Sequence, residues 1–205
     1  MNILQENVAT SVDMRIKNLS TIFERIEKNT NWGIRRFENK KDYKAQLKAD
    51  VDGEILKPYT EREELDLFGI PQMTIFNGNL TLNEGINEMF TIFASASSGT
   101  KFDNTNAYLG VGDSNTAEAA SQTGLQASTN KAYVAMDVGY PTYGTSQQAV
   151  WKSTFGLSTA NFAWNEFTLA NGNSDSSVNF NRKVSSQGTK QADQIWELTQ
   201  TASMS

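Results

Sequence analysis

The chain has 205 residues, with no Cys and no His, three Pro, fourteen Gly and a formal net charge of -5. Without Cys there are no disulfides, thiolate nucleophiles or Cys-ligated zinc, and without His there is no imidazole acid–base chemistry or His-ligated metal. The mild acidity argues against a nucleic-acid grip, which needs a basic face.

The charge is unevenly spread. Residues 1–80 carry 12 of the 18 Lys+Arg and 13 of the 23 Asp+Glu, so the remaining 125 residues are sparsely charged, with 6 and 10, and rich in Ser, Thr, Asn, Gln and Gly. High charge suits exposed helices, and low charge with Thr and aromatics suits sheets. The expected fold class is α+β: a helical and extended anchoring arm over 1–79, then an antiparallel β-sandwich-like domain with a leading helix over 80–205.

In chain order, residues 3–28 read as a helix. Leu4, Val8, Val12, Ile16, Leu19, Phe23 and Ile26 recur every three or four residues, which is one apolar stripe. Val12, Ile16, Leu19, Phe23 and Ile26 form the expected assembly helix, packing on its own domain or on a neighbouring subunit. The opening residues lack the basic-then-apolar pattern of a signal peptide, and no run of 18 apolar residues predicts a membrane span. Trp32, Ile34 and Phe37 suggest a short strand or a docking segment. Residues 41–48 suggest a short helix, and Thr60–Glu63 is a capping box. Residues 72–80 read as an extended connector with a turn at Asn77-Gly78.

Thr81-Leu82-Asn83-Glu84 is a second capping box. Ile86, Met89, Phe90 and Phe93 follow at helical spacing and predict an amphipathic helix of about three turns. From residue 107 the period becomes two. Strands are expected at 107–111, 131–137, 147–155, 161–169, 178–184 and 194–201, with a polar loop over 113–130 and a turn over 139–144. In the strand at 161–169, Trp164, Glu166 and Thr168 would share one face.

Few constellations offer chemistry. Gly110-Val111-Gly112-Asp113 lacks the remainder of a phosphate loop, and Asp113-Ser114-Asn115 and Asn171–Asp175 are thin versions of a calcium loop better read as turns. No metal site and no cofactor are expected. Glu166 sits in an apolar strand and needs a partner, for which Arg182 on the next strand is the natural choice. As a glycosidase acid it would lack a second carboxylate. Tyr133, Tyr140, Tyr143 and Trp151 are aromatic candidates for sugar stacking. Of these, Tyr140 and Tyr143 flank Pro141 and are the expected exposed pair.

The order of several short motifs carries a resemblance. Leu82-Asn83-Glu84-Gly85-Ile86 lies on a helix, a strand runs into Gly110-Val111-Gly112-Asp113, and Thr123-Gly124-Leu125 follows. Asn161-Phe162-Ala163-Trp164-Asn165-Glu166 comes next, then Asn181-Arg182-Lys183-Val184 and a last strand. Over residues 80–205 this resembles small virion proteins of tailed bacteriophages and the β domain of phage tail- and collar-fibre proteins. The resemblance implies a non-enzymatic structural part located in the virion, forming a homo-oligomer and contacting other capsid or tail proteins. The favoured expectation is a head-associated decoration or cementing protein. The alternative is a tail or neck appendage that binds a host surface glycan, with Tyr140 and Tyr143 as receptor contacts.

Overall fold

The computed structural model describes residues 30–38, 72–95 and 98–203. The expected assembly helix (Val12, Ile16, Leu19, Phe23, Ile26), the helix at 41–48 and the box at 60–63 lie outside the described residues.

The described chain is mostly β. In order it forms β1 (Thr30–Phe37), β2 (Gln72–Asn77), β3 (Leu80–Thr81), α1 (Asn83–Ala94), β4 (Tyr108–Gly112), β5 (Lys131–Ala135), β6 (Thr142–Thr145), β7 (Gln148–Phe155), β8 (Glu166–Ala170), β9 (Asn179–Val184) and β10 (Ile195–Ser203). Two five-stranded antiparallel sheets result, ordered β2-β1-β10-β7-β6 and β3-β9-β8-β4-β5. Their inner faces share one core, with Trp32, Ile34, Phe155, Trp196 and Leu198 from the first sheet and Leu109, Val111, Phe167 and Leu169 from the second. Trp164 sits at its centre, 4.7 Å from the Phe155 ring and 4.8 Å from the Trp196 ring, both edge-on. Edge-on contact sets the positive rim of one ring against the negative face of the other. The architecture is therefore β-sandwich-like with one short helix.

β1 and β2 both precede residue 80, in the stretch read from sequence as an anchoring arm. Here they are strands of the first sheet, and β1 pairs along its whole length with β10. Trp32 and Ile34 are fully buried, which accounts for the aromatic and β-branched alternation of this segment.

Three local expectations are corrected. The strand expected at 161–169 begins only at Glu166. Residues 161–165 form an irregular segment bridged through Ala163 to Thr189. Trp164 Nε1 donates to Ala160 O at 3.0 Å, and Trp164 N donates to Gly188 O at 2.8 Å. That closure turns the indole into the core beside Phe167, so Trp164 and Glu166 do not share a face. The turn expected at 139–144 is partly strand: β6 is an edge strand, and the β6–β7 reversal is made by Ser146 and Gln147, with φ of 55° and 50°. Two positive φ values are what a two-residue primed turn needs to match strand twist. Finally, the Thr81–Glu84 box does not form. The helix is capped at Leu82 with no side-chain cap, and Thr81 belongs to β3. Glu84 instead accepts the Asn179 amide at 2.8 Å, and burial raises its pKa against that hydrogen bond.

The helix seats only part of its apolar stripe, with Met89 packed against the core. Gly85 is its one buried residue among those described, and a Cβ there would lie 2.4 Å from Phe180 O. The α1 backbone thus rests directly on β9, and only a glycine permits that approach. Phe93 stands 94% exposed.

Candidate functional site

Two regions concentrate the side chains that could act. The first is the outer face of the second sheet. Gly110 and Gly112 on β4 leave that face bare, and their neighbours fill it. A Cβ on Gly112 would lie 2.4 Å from Glu166 Oε1, and one on Gly110 would meet Thr168 Cγ2 at 2.7 Å and Tyr133 Cε1 at 2.8 Å. Thr168 and Arg182 are register partners on β8 and β9, so Arg182 rises on the same side as Glu166.

The structure brings Glu166 and Arg182 together. Arg182 Nε and Nη2 approach Glu166 Oε2 at 2.8 and 2.7 Å, and neither side chain is exposed. The remaining valences hold the 113–130 loop. Glu166 accepts the amides of Gln126 at 2.9 Å and Ala127 at 2.7 Å. Arg182 Nη1 donates to Thr116 O at 2.9 Å and to Gln122 Oε1 at 3.0 Å. The ion pair therefore straps the loop across the sheet.

Asp175 repeats the device at the other end. It accepts from the Tyr133 hydroxyl at 2.6 Å, from the Leu125 amide at 3.3 Å and from Lys131 Nζ. Burial, reinforced by the Asp175 hydrogen bond and charge, pushes the Tyr133 phenol well up from its ordinary value. Sequence reasoning named Tyr133 as a candidate for stacking sugars, but its hydroxyl is spent on Asp175. It missed Asp175 as a clamp, because its contacts with Gly124, Tyr133 and Lys131 are brought together only by the fold.

Among the described residues, two other charged side chains are buried, Glu197 and Lys190. Glu197 bridges Arg35 at 3.0 Å and Lys152 at 2.9 Å on the first sheet. Burial acts to lower the Lys152 pKa, but the Glu197 hydrogen bond and charge, with Asp137, raise it overall. Lys190, 1% exposed, donates to Gly156 O and Asn161 Oδ1, both at 2.7 Å. Burial lowers its pKa to about 8, opposed by Asp193. Among the described residues no group of three or more His, Cys, Asp or Glu could hold a metal ion.

The second region is the apolar surface at one end of the sandwich. A groove of about 480 Å³ lies between α1 and the β6–β7 hairpin, with Met89, Trp151, Phe180 and Ala202 among its walls. Trp151 turns its indole N–H inward to Phe102 O at 2.9 Å and leaves its ring on the groove. The structure separates the two tyrosines paired in the sequence reading. Tyr140 packs against the core, with its carbonyl accepting from Asn104 Nδ2 at 2.6 Å, whereas Tyr143 is 74% exposed on β6. Val138 is 98% exposed, and Met73 and Ile75 on edge strand β2 are each 62% exposed.

In comparisons with known proteins, the chain matches no family model, no curated protein and no solved structure.

Proposed function

We propose that this chain is a non-enzymatic structural subunit of a tailed-phage virion, associated with the head as a decoration or cementing protein. The observation that carries the reading is the division of labour among its side chains. Glu166, Arg182, Asp175 and Glu197 are spent on holding loops and strands to the sandwich. Phe93, Val138, Tyr143, Met73 and Ile75 are left in solvent. Large apolar side chains on a rigid domain suit burial against other subunits, as in closed homo-oligomers. The motif order over 80–205 and the low charge of that stretch support the same reading. The N-terminal arm adds a further attachment to the neighbouring virion proteins.

Reconstitution tests it. Particles assembled without this chain are offered the purified protein, either native or carrying Met73→Asp and Phe93→Asp. Both residues are exposed, so the variant keeps its fold. The proposal predicts native uptake and a loss of about tenfold or more for the variant, which is about 1.4 kcal/mol of attachment. Equal uptake of both contradicts it.

Tyr143 favours a second reading, a tail or neck appendage that binds a host glycan. An aromatic ring exposed on an edge strand can stack on a sugar face. Glycan-array binding that is lost in Tyr143→Ala would support this reading, and no binding by the native chain would remove it.

A further inference from the structure

The groove at the end of the sandwich has an apolar floor between the two sheets. Ala149, Trp151 and Ala202 come from the first sheet, Phe180 from the second and Met89 from α1. Trp151 is held rigidly, with its N–H bonded to Phe102 O at 2.9 Å and its ring packed against the core. It therefore offers the groove a fixed aromatic plane whose one polar atom is already spent.

The rim is polar and uncharged. Thr145, Ser146, Gln147 and Gln148 are exposed, and their side chains form no hydrogen bond among the described residues. Other amides of the sandwich behave differently: Gln122, Asn165 and Asn171 donate to backbone carbonyls of its loops. A carboxamide that holds no loop keeps two donors and one acceptor oxygen for a ligand.

A further polar group lies behind the wall. Gln200 is the register partner of Trp151, and Ala202 follows it on the same face of β10. Gln200 is wholly buried, and neither its Nε2 nor its Oε1 has a hydrogen-bond partner among the described residues. The same is true of Nε1 of Trp32, its partner on β1. Buried polar groups left unpaired cost free energy that a partner recovers. A hydroxyl entering between Trp151 and Ala202 approaches an amide able to donate to it and to accept from it.

These features select a ligand class. No charged residue lines the groove, so an ionic group would lose its water there without compensation. A purely aliphatic ligand would leave the rim amides and Gln200 unused. A pyranose has an apolar C–H face for the indole and hydroxyls around its edge for the amides. The groove, about 480 Å³, is of the size that small-molecule sites take.

We propose that this groove binds a neutral saccharide, stacked on Trp151 and hydrogen-bonded by Thr145, Gln147 and Gln148. The site is separate from the exposed Tyr143, which is not one of the groove's walls. It stands whether or not the protein belongs to a phage particle.

Saturation-transfer NMR on the full chain tests it. The probes are methyl glycosides of glucose, galactose, mannose and N-acetylglucosamine, and maltose, each at about 10 mM, ten times a millimolar Kd. At least one should bind. Thr145→Ala with Gln148→Ala, both exposed, should weaken that binding about tenfold at an unchanged Tm. Trp151→Leu should abolish it, and the rim pair, which leaves the core untouched, decides if that variant does not fold. Tyr143→Ala should bind as the native chain does. No binding by any probe overturns the inference, as does binding that the rim pair leaves unchanged. Binding of octanol but of no sugar overturns it too, by making the groove a purely apolar site. Sugar binding lost in Tyr143→Ala and kept in the rim pair would place the sugar on Tyr143, which removes the groove site and leaves the tail-appendage reading standing.

Discussion

Arg182 meets Glu166 through two nitrogens, at 2.8 and 2.7 Å, on a face of the sandwich where both side chains are wholly buried. Burying two charges costs several kcal/mol each, so the pair is not explained by stability alone. What it supplies is a set of directed valences. Two backbone amides and one carbonyl of the 113–130 loop close on it. Arg182→Ala should therefore destabilise the chain by about 3–5 kcal/mol, since it strands a buried carboxylate. Native-state hydrogen exchange should show the Gln126 and Ala127 amides opening faster in this variant. An unchanged melting temperature would remove the pair from its role as a clamp.

Gly112 tests the same clamp from beneath. A Cβ at 2.4 Å from Glu166 Oε1 cannot coexist with the observed carboxylate position. Gly112→Ala should cost about 1–3 kcal/mol, the usual range for overpacking. It should also reproduce the exchange pattern of Arg182→Ala. A stability equal to the native chain, measured by denaturant unfolding, would show that the carboxylate moves freely.

Gly85 makes the corresponding prediction for α1. Gly85→Ala would press a Cβ against the Phe180 carbonyl, carbon and Cα at 2.4–2.8 Å. Alanine favours a helix over glycine by about 1 kcal/mol, so an isolated helix would gain from this change. The account predicts a net loss, because backbone atoms of β9 cannot yield as a side-chain tip can. A rise in Tm would contradict the close helix–strand approach.

Lys190 gives a pH dependence. Its pKa falls from 10.5 to about 8 on folding. Between these values the unfolded chain binds the extra proton, so stability rises with pH across that window. Below about pH 8 both states are charged and the contribution is absent. Tyr133 works oppositely, since its raised pKa makes stability fall above its ordinary value near 10. Comparison with Lys190→Met isolates the lysine: the native chain should gain on the variant from pH 8 to 10. Parallel curves would show that Lys190 stays charged.

Much of the β architecture was legible in the sequence because side chains alternated in β4, β7, β9 and β10. The Glu166–Arg182 pairing was legible for the same reason, since a charge inside an apolar strand must find a partner. The 161–165 segment was not, because Trp164 leaves the two-residue period to enter the core through its bond to Ala160. The α1 stripe was read correctly as a helix and in part as a buried face, since Met89 packs against the core while Phe93 stays in solvent. Apolar spacing shows which side chains share a face but not how much of it is covered, nor that Gly85 would bring the backbone onto β9. The groove had no sequence signal, because its walls come from α1, the β6–β7 hairpin, β9 and the end of β10, and only the fold brings them together.

Under the proposed function, this chain is a structural subunit of a tailed-phage particle. The most direct test is quantitative mass spectrometry of purified particles from a phage encoding the chain. The account predicts its peptides in a fixed multiple-copy ratio to the major capsid protein. Purified, infectious particles that lack the chain would contradict it.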